Sequence, residues 1–110
     1  MSGIVSLYEF KGDTVSIYVT ARFEDGNLLI EGQDIGKFVE ESWGDSDYEY
    51  GTTVAKKDIK LLCEAIKINS QQEQKILLEI VARFKGDKCF SQFRDFLEKN
   101  KIDYNGFSYT

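Results

Sequence analysis

The residues best suited to chemistry in this chain are carboxylates, because it contains no histidine. Without imidazole no Ser-His-Asp or Cys-His nucleophile can be assembled, and no histidine can ligate a metal. Acids crowd one stretch, where Glu40, Glu41, Asp45, Asp47 and Glu49 follow closely on one another. Two of them could act as general acid and base on a glycoside or phosphoester. Such pairs line a cleft built from distant segments, and 110 residues leave little room for one. Asp45, Asp47 and Glu49 also alternate like the first ligands of a calcium loop. That loop needs Gly at its sixth position and Glu at its twelfth, where this chain has Tyr50 and Lys56. The string from Gly32 to Lys37 is one residue too short for a Walker phosphate loop, and Phe38 stands where Ser or Thr belongs. We therefore expect no catalytic residue, no metal and no cofactor. A small carboxylate-dependent hydrolase is kept only as a further alternative.

The same stretch is better suited to recognition. Trp43, Tyr48 and Tyr50 interleave with acids rather than with aliphatic residues. Packing of a short helix on a sheet would account for these rings. A contact patch would account for them too, since rings supply anchoring area and flanking acids steer a basic partner. Trp43, Asp45, Asp47, Tyr48 and Glu49 are the expected partner-binding residues, provided they stand together in water. Charge is distributed in the same sense. Residues 1–55 hold three bases against eleven acids (−8), residues 56–110 eleven bases against eight acids (+3), and the total is −5. A first half this acidic disfavours nucleic acid, because phosphates reward Lys and Arg and a stacked single strand needs a basic groove.

The elements that must position these residues follow from periodicity. Residues 4–10 and 14–24 read as strands joined at Lys11-Gly12-Asp13, with Val15, Ile17, Val19, Ala21 and Phe23 on one face. Asp25-Gly26-Asn27 reads as a hairpin turn, and Leu28-Leu29-Ile30 as the returning strand. Gly32-Gln33-Asp34 is expected to end that strand. Asp34 would then cap a short helix carrying Ile35, Phe38, Val39 and Trp43. Asp47 to Val54 reads as a fourth strand, with Tyr48, Tyr50, Thr52 and Val54 on one face and Asp47, Glu49 and Thr53 on the other.

From Ala55 onward the period becomes helical. Ile59, Leu62, Cys63 and Ile66 form one stripe; Ile76, Leu77, Ile80, Val81 and Phe84 form a second, opened by a capping box from Ser70 to Glu73 and closed at Gly86. Asp87 is expected to cap a third helix bearing Phe90, Phe93, Phe96 and Leu97, and the end of the chain is left between an edge strand and a segment lying along the sheet. The expected fold is α+β: an antiparallel sheet of about four strands with a short inserted helix, and three C-terminal helices packed on one face. One domain spanning residues 1–110 fits this length. Cys63 and Cys89, on apolar helix faces and outside any CxxC pair, are expected to be buried free thiols. No apolar run approaches the roughly 20 residues of a membrane span. The N-terminus lacks a basic start, an apolar middle and a small-residue cleavage site, so a mature cytoplasmic sequence without membrane contact is expected.

Three strings are shared with a recognisable group. Glu31-Gly32-Gln33-Asp34-Ile35-Gly36, Trp43-Gly44-Asp45-Ser46-Asp47-Tyr48-Glu49-Tyr50, and Phe84-Lys85-Gly86-Asp87 with Phe90 and Phe93 resemble a family of small uncharacterised bacterial single-domain proteins. The resemblance runs from about Arg22 to Tyr104. It implies a bacterial cytoplasmic setting and transfers no catalytic residue. In outline the chain also looks like the immunity proteins that neutralise polymorphic or contact-dependent toxins. The expected function is a non-enzymatic protein-binding module for a basic protein, most concretely a toxin, with a self-associating structural or regulatory subunit as the alternative.

Overall fold

The structure, a computed structural model, describes residues 3–36, 47–69 and 71–109, without the side chains of residues 47 and 109. Five strands form one sheet in the order β1 (Val5–Lys11), β2 (Val15–Glu24), β3 (Asn27–Gly36), β4 (Asp47–Val54) and β5 (Asn105–Tyr109). Every neighbouring pair is antiparallel. A 3-10 turn at Lys56–Asp58 leads into three helices between β4 and β5: α1 (Ile59–Ala65), α2 (Glu73–Phe84) and α3 (Cys89–Lys99). The fold is α+β, with the helices against the sheet.

Period two explains the sheet. Val19 and Ala21 of β2, Leu28 and Ile30 of β3, and Thr52 and Val54 of β4 are buried, and their register places them side by side under the helices. The β2–β3 hairpin turns on Asp25 and Gly26, at φ 52° and 85°, so both central residues take the positive φ of a type I′ turn. In β1 the register shifts between Ser6 and Tyr8, which turns Leu7 into the core, and its carbonyl accepts a hydrogen bond from Gly86 N at 2.9 Å. The helical stripes meet these strands in one apolar cluster. Ile59, Leu62 and Cys63 come from α1, Ile76, Leu77, Ile80 and Phe84 from α2, and Cys89, Phe93 and Leu97 from α3. Phe84 sits edge-on to both Phe93 and Phe96 at 5.3 Å. Cys63 and Cys89 are buried free thiols, and burial pushes both up from the usual thiol range.

Several expectations require correction. The expected α+β sheet itself stands, its fifth strand being the edge strand, one of the two options for the chain end. β3 does not end at Gly32-Gln33-Asp34 but runs to Gly36, because Gln33 to Ile35 pair with β2 on one side and β4 on the other. Asp34 is therefore a strand residue and caps no helix; its carboxylate accepts the Tyr50 hydroxyl instead of a free backbone N–H. The rest of the expected inserted helix, with Phe38, Val39 and Trp43, lies outside the described residues. The N-cap of α3 is Lys88, which makes no side-chain cap bond, in place of the expected Asp87; the N-cap of α2 is Gln72, and Ser70 of the expected capping box lies outside the described residues. Gly86 does take a positive φ, 134°, just beyond α2.

Candidate functional site

Neighbouring residues on a strand point to opposite sides of its sheet. Tyr48 and Glu49 are both exposed, yet Tyr48 stands on the helix side of β4 and Glu49 on the open side. The expected single patch is thus divided between two faces. Asp47 opens β4 opposite Ile35; Trp43 and Asp45 lie outside the described residues.

On the helix side, a groove of about 680 Å³ opens between the start of α3 and the sheet. Tyr48 and Tyr50 wall it from β4, with ring centroids 5.5 Å apart. Phe90 of α3 meets Tyr50 edge-on at 4.8 Å. The Tyr50 ring lies across Gly32, where a Cβ would overlap it, so this crossing of β3 requires glycine. That path brings the Tyr50 hydroxyl to Asp34 Oδ1 at 3.0 Å. Burial first, and then this bond to a carboxylate, hold the Tyr50 phenol above its ordinary range.

Arg94 closes the other end of the groove. Its Nε donates to Thr52 Oγ1 at 2.7 Å and its Nη2 to the Gly51 carbonyl at 2.8 Å. The guanidinium lies 4.7 Å from the Phe90 ring and 5.3 Å from the Tyr104 ring. Tyr104 in turn donates to Glu98. Among the described residues no carboxylate forms an ion pair with Arg94, and no base forms one with Asp34.

On the open side no described helix packs. Here Tyr18, Thr20, Glu31, Gln33, Glu49 and Phe107 surround a shallow cup of about 210 Å³. Phe107 lies across Gly51 as Tyr50 lies across Gly32, one ring on each side of the sheet. Arg22 binds Glu31 at 2.9 Å and Glu24 at 3.0 Å, and the two carboxylates, Glu31 foremost, raise its pKa. Alternation along the strands also sets Glu9 and Lys11 on this side. Among the described residues Glu9, Glu24, Glu31 and Glu49 outnumber Lys11 and Arg22, so the described part of the open face is acidic.

Of the expected site residues, Glu49 belongs to the cup and Tyr48 to the groove. Sequence reading missed Tyr18, Glu31 and Gln33, although carrying the alternation of Leu28 and Ile30 onward through β3 would have placed the last two on the face of Glu49. It also missed Arg94, which reads as the wet side of a helix. Of the carboxylates considered for hydrolysis, Glu49 alone has a described side chain, and it faces the cup. Among the described residues no three His, Cys, Asp or Glu side chains gather as metal ligands would. No described helix is long and apolar enough to cross a membrane. Comparison of the chain with protein-family models, with curated proteins and with solved structures finds no match in any of the three.

Proposed function

We propose that this chain is a non-enzymatic protein-binding module for a basic partner, in its most concrete form a bacterial immunity protein that neutralises a toxin. One observation carries the reading: a sheet face on which no described helix packs and on which, among the described residues, acids outnumber bases around Tyr18. A surface of that kind attracts a cationic protein over distance and then gives it apolar area to bury. A nuclease toxin is cationic because it must hold phosphate, which makes an acidic inhibitor effective against it. The test is co-expression with candidate basic effector domains drawn from the genes neighbouring this one. Protection of the cells, together with an association rate that falls about tenfold in Glu49→Lys and loses its salt dependence, is the expected result. Absence of protection, or an association rate that ignores Glu49, overturns the reading.

A second reading, self-association, is favoured by the contrast between the two sheet edges. β1 carries Glu9, Lys11 and a bulge, devices that discourage strand addition. β5, Asn-Gly-Phe-Ser-Tyr, has no charge and an unbroken register, with β4 as its one strand neighbour among the described residues. Light scattering decides: a monomer at every concentration removes this reading.

A further inference from the structure

The groove beside α3 holds two opposite charges with no ion-pair partner among the described residues, and two aromatic rings lie between them. Asp34 stands at one end, level with Tyr48 in the strand register. Arg94 stands at the other, fastened to Thr52 and Gly51. Tyr48 and Thr52 are four residues apart on β4, about 13 Å at the rise of a strand. Between these ends Tyr50 and Phe90 present apolar ring surface. Both charges are held rather than free to swing, since Asp34 accepts from Tyr50 and Arg94 is clamped by two hydrogen bonds and two rings. The volume lies within the roughly 300–1,000 Å³ typical of ligand sites.

We infer that the groove receives an extended segment of a partner protein with a basic side chain, an apolar side chain and an acidic side chain at positions one, three and five. Successive side chains of an extended chain alternate, so these three point the same way and span the same length as the groove. The basic group meets Asp34 beside the face of Tyr48, the apolar group lies against Tyr50 and Phe90, and the carboxylate meets the remaining N–H groups of Arg94. A free amino acid is too short to reach both ends. This inference rests on the protein-binding reading and adds to it the chemistry of one contacting segment.

The test uses capped peptides and nuclear magnetic resonance of the full chain, following the amides of Tyr48, Gly106 and Ser108 and the Nε–H of Arg94. Acetyl-Arg-Ala-Val-Ala-Glu-amide, or its reversed sequence if the segment runs the other way, should shift these signals and saturate in the millimolar range. Acetyl-Arg-Ala-Glu-amide, with its charges too close, and acetyl-Gln-Ala-Val-Ala-Gln-amide, without them, should bind at least about tenfold more weakly. Asp34→Asn keeps the acceptor for Tyr50 and removes the charge, and should weaken the pentapeptide about tenfold. Asp103→Asn, an equal loss of charge elsewhere, should leave binding unchanged. Arg94→Lys keeps the charge without the planar fork and should also weaken binding; Asp34→Asn decides the matter if that variant folds poorly. Two flat titrations, equal binding of the short peptide, or indifference to Asp34→Asn overturns the inference. Such a failure leaves the acidic open face standing, because that face is tested separately through Glu49.

Discussion

Arg94 and Thr52 lie 42 residues apart and are joined by a 2.7 Å hydrogen bond from Nε to Oγ1. Thr52 is 1% exposed and Arg94 half-buried, so each supplies what the other would otherwise lack. Thr52→Val keeps the shape and removes the acceptor. Its expected cost is about 1–3 kcal/mol, since a charged donor loses its partner in a half-buried place. In an Arg94→Met background the same change should cost much less. Urea unfolding of the two single variants and the double variant measures the coupling; strictly additive effects would show that the bond contributes nothing.

The glycines beneath the two rings predict a change of sign. Ala for Gly in a strand ordinarily gains about 0.5–1 kcal/mol. At Gly32 the new Cβ would overlap the Tyr50 ring, so Gly32→Ala should instead lose about 1–3 kcal/mol. With Tyr50→Ala already made, the ring is gone and Gly32→Ala should become neutral or stabilising. Thermal melts of the four proteins check this. A stabilising Gly32→Ala in the wild-type background would mean that the ring lies elsewhere.

Most of the core could be read from the residues alone, because the burial of Val19, Ala21, Leu62, Ile76 and Phe93 follows local periods of two and 3.6. The Asp25-Gly26 turn was legible for the same local reason, its residue types matching its φ angles. What escaped was decided by distant partners. Asp34 can cap a helix or sit in a strand, and the choice was made by Ile17 and Tyr48 on either side of it. Arg94 resembles any solvated helix residue until Thr52 and Tyr104 are brought beside it. The alternation already legible in the strand sends Tyr48 and Glu49 to opposite sides, which is at odds with a single patch.

Burial of the two cysteines makes a chemical prediction. Cys63 and Cys89 are 3% and 1% exposed, and desolvation is the foremost cause raising both thiols. The thiolate is the reactive species, so both should react with a disulfide reagent at least about 100-fold more slowly than a free thiol. Full reaction of both should appear on adding denaturant. A fast native phase would show that one helix face is open to water.

The groove's tyrosine makes stability depend on alkaline pH, in a direction that can be worked out. An unfolded tyrosine ionises near pH 10. In the native state Tyr50 keeps its proton to higher pH, because burial opposes the phenolate and Asp34 accepts the hydrogen bond. Below about pH 10 both states carry the proton and the group adds no pH dependence. Above it the unfolded chain binds fewer protons than the native one, so stability must fall as pH rises, by at most about 1.4 kcal/mol per pH unit for one group. Tyr104, bonded to Glu98, and the two thiols are shifted upward as well and contribute falls of the same sign. The slope of the wild type alone therefore does not identify Tyr50; its difference from Tyr50→Phe does. That variant loses the hydroxyl and should be less stable at neutral pH by about 0.5–1.5 kcal/mol, the usual worth of one hydrogen bond. Its loss relative to wild type should then shrink as pH climbs past about 10, because the wild type is giving up stability that the variant never had. Urea midpoints of both proteins between about pH 8 and about pH 11 provide the measurement, and two parallel curves would show that the Tyr50 proton is not held by this groove.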